Sequence, residues 1–160
     1  MLAALVATAL CPLASALPSP LAARQTTFPS SFKIKEGSGY FEVQNTFDTI
    51  HTINAAQASS FYINGTTWDG APISQLAYTN AGQNYLAWLE NGSGIIIFHP
   101  TYVHEATQDS PVIASLLPSG QIDLQPFEPH TNFYLQDCGG LIEIASSQGT
   151  NCVLVTASIA

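Results

Sequence analysis

The stretch NYLAWLENGSGIIIFHP, residues 84–100, joins two apolar runs through a short turn rich in glycine. Residues 84–89 and 94–98 each have the length and composition of a β-strand, and the ENGSG segment between them supplies turn residues. The pattern predicts a β-hairpin whose second strand, residues 94–98, is buried. Pro100 lacks a backbone donor, so it should end this strand or place it at the edge of a sheet.

The same alternation of short apolar runs and turns continues along the chain and gives about eleven candidate strands. Besides the two above, the runs are FKIK, YFEVQN, SSFYING, QLAYTN, VIASLL, GQIDLQPF, NFYLQD, LIEIAS and CVLVTASI. Only residues 48–60, DTIHTINAAQASS, could hold a helical turn. We therefore predict an all-β domain, a single compact antiparallel β-sandwich or barrel, with the β-trefoil as one form of barrel.

The N-terminus has the pattern of a secretory signal peptide. The apolar core over residues 2–13 is too short to span a bilayer, which takes about 20 residues, and Ala14-Ser15-Ala16 offers small residues for cleavage. We predict a signal peptide over residues 1–16, with cleavage as late as residue 24. A flexible segment would follow over 17–31 and the β domain over 32–160, with no membrane span after removal of the signal.

A secreted chain passes through compartments in which cysteines form disulfides and asparagines are glycosylated. Cys11 lies in the predicted leader, so the mature chain keeps Cys138 and Cys152, an even pair that predicts one disulfide. The tripeptides NGT at residues 64–66 and NGS at residues 91–93 match the N-glycosylation motif. Both are set among glycine and hydroxyl residues, so we expect Asn64 and Asn91 in exposed turns.

The charge of the chain is strongly one-sided. The formal net charge is −8, and the only basic residues are Arg24, Lys33 and Lys35, so no lysine or arginine stands between residues 36 and 160. Such a chain cannot neutralise a phosphate backbone, which excludes nucleic acid as a partner, and it disfavours anionic membrane surfaces. The composition favours a protein that stays soluble in an acidic extracellular medium.

The histidines form no recognised metal or catalytic motif. The spacing of His99 and His104, H-x4-H-E, differs from the HExxH of a zinc helix. A metal site would need His51 or His130 to come close from elsewhere in the fold, so we predict no metal and no cofactor. His99 and His104 are candidate pH sensors, because beyond Lys35 only histidines can gain positive charge.

No catalytic residues are predicted, while two tryptophans are candidates for ligand binding. The chain has no G-x-S-x-G motif before a helix, and its mature cysteines pair with each other, so neither a serine nor a thiol nucleophile is supported. Glycoside hydrolysis needs two carboxylates at a defined separation. The eleven acidic residues form many possible pairs, and the sequence singles out none of them. Trp68, in the turn-like NGTTWDGAP, and Trp88, in YLAWLE, could instead form aromatic platforms for a sugar.

Three segments resemble a known group of proteins. DTIHTINAAQASSFYING (residues 48–65), NYLAWLENGSGIIIFHPTYVHEA (84–106) and CGGLIEIASSQGTNCVLVTASIA (138–160) are similar to small secreted fungal cell-wall proteins of the PhiA and IgE-binding antigen type. That family often has further cysteines where residues 65–80 have none, and a neighbouring family of uncharacterised fungal secreted β-proteins fits about as well. Either resemblance implies an extracellular or wall protein with no catalytic residues.

The sequence thus predicts a secreted, non-enzymatic extracellular or cell-wall-associated protein with a structural or binding role. Its expected partner is a cell-wall polysaccharide or an extracellular protein. The alternatives are a carbohydrate-binding, lectin-like module and a secreted effector that binds a host protein. A small glycoside hydrolase is less favoured, since no pair of carboxylates is singled out.

Overall fold

The computed structural model describes residues 27–44, 48–91, 93–100, 109–127 and 133–160. These residues form thirteen β-strands and no helix, which confirms the predicted all-β class. In the described part of the chain, no helix has the length and apolar character needed to cross a membrane. The predicted signal peptide, residues 1–16, lies outside the described residues.

The strands follow one another at short intervals. Their bounds are β1 Ile34–Glu36, β2 Gly39–Val43, β3 Thr49–Thr52, β4 Phe61–Trp68, β5 Ala71–Asn80, β6 Gln83–Leu89, β7 Ile96–Pro100, β8 Ser110–Leu116, β9 Gln121–Pro126, β10 Tyr134–Cys138, β11 Leu141–Ala145, β12 Val153–Leu154 and β13 Ala157–Ile159.

All thirteen strands belong to one antiparallel sheet that does not close into a ring. Its order is β12-β10-β11-β3-β2-β1-β13-β9-β8-β5-β6-β7, with β4 paired to β5 and an additional pairing of β8 with β6. β6 and β7 form the hairpin predicted from residues 84–100, and Trp88 lies opposite Ile97 in its ladder. Pro100 is the last residue of β7, as predicted, and β7 is also the last strand in the order.

The strand count exceeds the predicted eleven for two reasons. The run CVLVTASI is divided into β12 and β13, and residues 49–52, which were not counted as a strand and could have held a helical turn, form β3. β3 pairs with β2 on one side and β11 on the other, so these two ladders hold the segment extended. A turn follows, in which Asn54 O accepts from the Gln57 backbone N–H and Asn54 Oδ1 accepts from that of Ala56.

One hydrophobic core lies within the folded sheet. Strands β9 and β11 alternate buried and less buried positions, which is the period of a sheet with one apolar face. The largest fully buried apolar side chains come from strands distant in sequence: Phe41, Phe61, Phe98, Ile34, Leu76, Ile96, Ile142 and Ile144. Two isolated bridges, Asp48 with Ile97 and Ile95 with Glu143, bring the β7 end of the sheet against the β3 and β11 region.

Both termini of the described domain are anchored. Phe28 falls in the segment predicted to be flexible, yet its ring stacks on Phe32 at a centroid distance of 5.2 Å and packs against the core. Near the other end, Cys138 and Cys152 form the predicted disulfide, with a Cα–Cα distance of 4.2 Å. Cys138 ends β10 and Cys152 directly precedes β12, so the disulfide links neighbouring strands.

Candidate functional site

The two predicted ligand-binding tryptophans lie against each other, but only one reaches the surface. Their rings meet edge to face at a centroid distance of 5.3 Å. Trp88 is only 3% exposed because β6 lies between neighbouring strands, with Ile97 and Pro111 opposite it. Its ring therefore offers no face to a ligand. Trp68, half-buried at the end of β4, presents the accessible part of the pair.

The glycosylation motifs differ in their surroundings. Asn91 is exposed in the turn between β6 and β7, as expected, and its backbone N–H donates to Asp109 Oδ1 at 3.1 Å. Asn64 was expected in a turn, but it lies within β4 opposite Gln75. The β4–β5 hairpin runs on to Asp69-Gly70, where both residues have positive φ, so the turn forms five residues later than the motif suggested.

The candidate pH sensors do not form a site in the described chain. His99 is half-buried in β7 opposite Leu86, and His104 lies outside the described residues. His51, which the sequence could not pair with a partner, lies in β3 beside two carboxylates, Glu36 and Asp137. The sequence does not indicate that these three residues meet, because they lie far apart in it, on β1, β3 and β10.

Three adjoining depressions surround the start of β10. Their volumes are about 350, 370 and 390 Å³. Phe133 lines the first and second, Ser146 the second and third, and Tyr134 with Leu154 the first and third. We call the joint lining of these three depressions the Tyr134 surface. The shared residues make the three depressions neighbours on one surface.

The Tyr134 surface combines an exposed ring with neutral polar side chains. Tyr134 is 44% exposed and Leu154 is 47% exposed, although both lie on strands. The polar lining consists mainly of amides and hydroxyls, from Gln121, Gln125, Asn91, Ser146, Ser147 and Gln148. Amides both donate and accept hydrogen bonds, and hydroxyls do the same. The surface can therefore contact an apolar ring face and many hydroxyl groups at once.

The loop between β11 and β12, which carries part of the Tyr134 surface, is held by contacts with β10. Gln136, buried in β10, accepts a hydrogen bond at Oε1 from the Gly149 backbone N–H at 3.0 Å. Gln148 Nε2 donates to the Cys152 carbonyl at 2.8 Å, and the disulfide holds Cys152 to β10. The segment between β11 and β12 is therefore tied to β10 at several points, which preorganises the surface and lowers the entropy cost of binding.

A pair of buried tyrosines lies in the core, away from the Tyr134 surface. Tyr78 and Tyr85 lie opposite each other on β5 and β6, with ring centroids 5.0 Å apart. Burial raises the pKa of the Tyr78 phenol, the neighbouring Tyr85 raises it further, and a hydrogen bond with Asn80 lowers it. Since the net direction is upward from an already high value, Tyr78 stays protonated at neutral pH and serves as a core residue.

Comparisons of this chain with protein-family models, with curated proteins and with solved structures find no match.

Proposed function

We propose that this chain is a secreted, non-enzymatic extracellular or cell-wall protein that binds a neutral polysaccharide across the Tyr134 surface. The observation that carries the proposal is the exposed Tyr134 ring among amide and hydroxyl side chains in three adjoining depressions. A tyrosine ring supplies a flat apolar face at low entropy cost, and its hydroxyl adds a polar contact.

Charge favours a neutral polymer over an acidic one. No lysine or arginine follows Lys35, so the Tyr134 surface contains no fixed positive charge. Its charged groups are carboxylates, including Asp123 and Glu90. A polyanion would meet repulsion from these groups and from the net charge of −8, while a chain of neutral sugars would not.

Location in a wall or extracellular matrix rests on the sequence. The leader-like residues 1–16, the two N-glycosylation motifs and the resemblance to small secreted fungal wall proteins all favour export. The disulfide agrees with an oxidising compartment, where such bonds persist. A rigid, disulfide-linked β domain with a sugar-binding face would act by staying attached to the polymer.

We expect the mature protein to be retained on at least one of insoluble chitin, β-glucan and whole fungal wall at about pH 4 and pH 7. Tyr134→Ala should weaken retention about tenfold or more, equivalent to about 1.4 kcal/mol, because it removes the ring face from the surface. The measurement is the bound fraction against polymer concentration. Tyr134 is substantially exposed, so this variant should keep the fold.

Two variants serve as controls for position. Tyr62→Ala removes a half-buried tyrosine on β4, away from the Tyr134 surface, and should leave retention unchanged. Trp68→Ala tests the tryptophan pair as the competing site. A loss of retention in Trp68→Ala alone, or an equal loss in Tyr62→Ala and Tyr134→Ala, would contradict the assignment. Retention on no polymer at either pH would contradict polysaccharide binding and leave a protein partner as the alternative.

A further inference from the structure

Three strands of the sheet bring an imidazole and two carboxylates together. Glu36 is the last residue of β1, His51 lies in β3 and Asp137 in β10. His51 Nδ1 is 2.6 Å from Glu36 Oε2 and 3.7 Å from Asp137 Oδ2. All three atoms lie within 4.8 Å of one another. This group is separate from the Tyr134 surface, whose lining contains none of the three residues.

Main-chain contacts position Asp137 and His51. Asp137 Oδ1 accepts a hydrogen bond from the Gly140 backbone N–H at 2.6 Å, and the Gly140 carbonyl accepts from the His51 backbone N–H at 2.8 Å. Asp137 also precedes Cys138 of the disulfide. On the other side of the ring, a Cβ placed on Gly39 would come 2.3 Å from His51 Nε2, so the imidazole lies directly on the glycine backbone.

The group has more negative charge than its protein contacts balance. Glu36 is only 6% exposed, and in the described part of the chain the one basic group that its carboxylate contacts is the His51 imidazole, at Oε2. In the described part of the chain, the one basic group within 4 Å of Asp137 Oδ2 is the His51 imidazole, at 3.7 Å. A buried carboxylate is costly unless it is paired or binds a cation. Lys33 donates instead to the Ala55 carbonyl, and Lys35 is on the opposite, exposed face of β1.

We propose that Glu36, His51 and Asp137 bind a divalent transition-metal cation, for which Zn²⁺ is the best fit. Imidazole nitrogen and carboxylate oxygen are both ligands that zinc takes, and a water would complete four-coordination, whereas Ca²⁺ takes six to eight oxygens. The cation would balance both carboxylates and bind Glu36 Oε2, which belongs to a side chain only 7% exposed and lies beside His51 Nδ1. His51 and Asp137 are partly exposed, which gives an ion access and leaves room for a water ligand.

The observed distances need only small changes for such a site. With zinc bonds of about 2.0–2.2 Å, tetrahedral ligand atoms lie roughly 3.3–3.5 Å apart. The 2.6 Å and 3.7 Å separations at His51 Nδ1 lie on either side of this value, so these two atom pairs move by less than about 1 Å. Rotation of the carboxylates supplies such a shift without a change of strand register.

The test is calorimetric titration of the chelator-treated mature protein with ZnCl₂, supported by the visible spectrum of the Co²⁺ complex. We expect one ion per chain with a dissociation constant in the micromolar range and the absorption of a low-symmetry four-coordinate site. Asp137→Asn keeps the acceptor for the Gly140 N–H and should weaken binding at least tenfold. His51→Gln should weaken it at least a hundredfold and abolish the Co²⁺ spectrum.

The matched control is His99→Gln, which removes a histidine from β7 and should bind Zn²⁺ like the unmodified protein. Circular dichroism checks that each variant is folded, and Glu36→Gln provides a second ligand variant if His51→Gln does not fold. No binding tighter than about 1 mM, or binding that His51→Gln and Asp137→Asn leave unchanged, would overturn the proposal. Tyr134→Ala should bind Zn²⁺ normally, so this result is independent of polysaccharide binding.

Discussion

Replacement of Gly94 by alanine is expected to lower the free energy of unfolding by about 2–5 kcal/mol. Gly94 has a φ of +77°, a conformation that L-residues adopt at a cost of about 1–2 kcal/mol. A Cβ there would also lie 2.8 Å from the Ile144 carbonyl oxygen. The Ile144 backbone N–H donates to Gly94 O at 2.8 Å, so the clash falls where the β6–β7 turn contacts β11.

Substitutions at two other glycines separate the cost of the positive φ from the cost of the steric clash. Gly82 has a φ of +80° with no atom within 4 Å of the added Cβ, so Gly82→Ala should show the backbone cost alone. Gly65 has neither feature, and Gly65→Ala should change stability by less than about 1 kcal/mol. Urea denaturation of the three variants gives the comparison. Equal destabilisation by Gly94→Ala and Gly82→Ala would contradict the close contact between the β6–β7 turn and β11.

Removal of the disulfide in the double variant Cys138→Ser, Cys152→Ser is expected to lower the free energy of unfolding by about 3 kcal/mol. The two cysteines are separated by 14 positions, and closing a loop of this size restricts the unfolded chain by about that amount. The loss should also loosen residues 146–152, which the disulfide holds against β10. Urea denaturation reports the first effect, and limited proteolysis of this segment reports the second.

The matched control for the disulfide is Ser146→Ala with Ser147→Ala, two exposed residues in the same loop. This double change leaves the cross-link intact and should alter stability by less than about 0.5 kcal/mol. An unchanged denaturation midpoint in Cys138→Ser, Cys152→Ser would contradict the stabilising role of the disulfide. So would equal proteolysis of the loop in both double variants.

Local patterns in the sequence were enough to predict the class of fold. The hairpin at residues 84–100 depends on a turn and its two flanking runs, and it forms as predicted. The pairing of Cys138 with Cys152 follows from a simple count of cysteines in the mature chain. β3 was not predicted, because its four residues, Thr49–Thr52, are followed by polar turn residues and gain their order from strands on both sides.

The candidate sites depend on contacts that no local pattern reveals. Tyr134 lies in NFYLQD, which has the composition of an ordinary strand, and its exposure follows from its place near one end of the strand order. His51 was visible in the sequence without partners. Glu36 and Asp137 reach it only because β1, β2, β3, β11 and β10 lie side by side in this order. A one-residue slip in any of these ladders would turn a side chain to the other face.

A polysaccharide that binds at the Tyr134 surface should change the environment of the backbone amides there. The most direct measurement is a series of ¹H–¹⁵N correlation spectra of the mature protein, titrated with soluble oligomers of N-acetylglucosamine and of β-linked glucose. We expect one oligomer series to shift the backbone amides of Tyr134, Ser146, Gln148 and Leu154, while the Trp68 indole N–H stays unchanged. Shifts centred on Trp68, or no shifts with either series, would contradict polysaccharide binding at the Tyr134 surface.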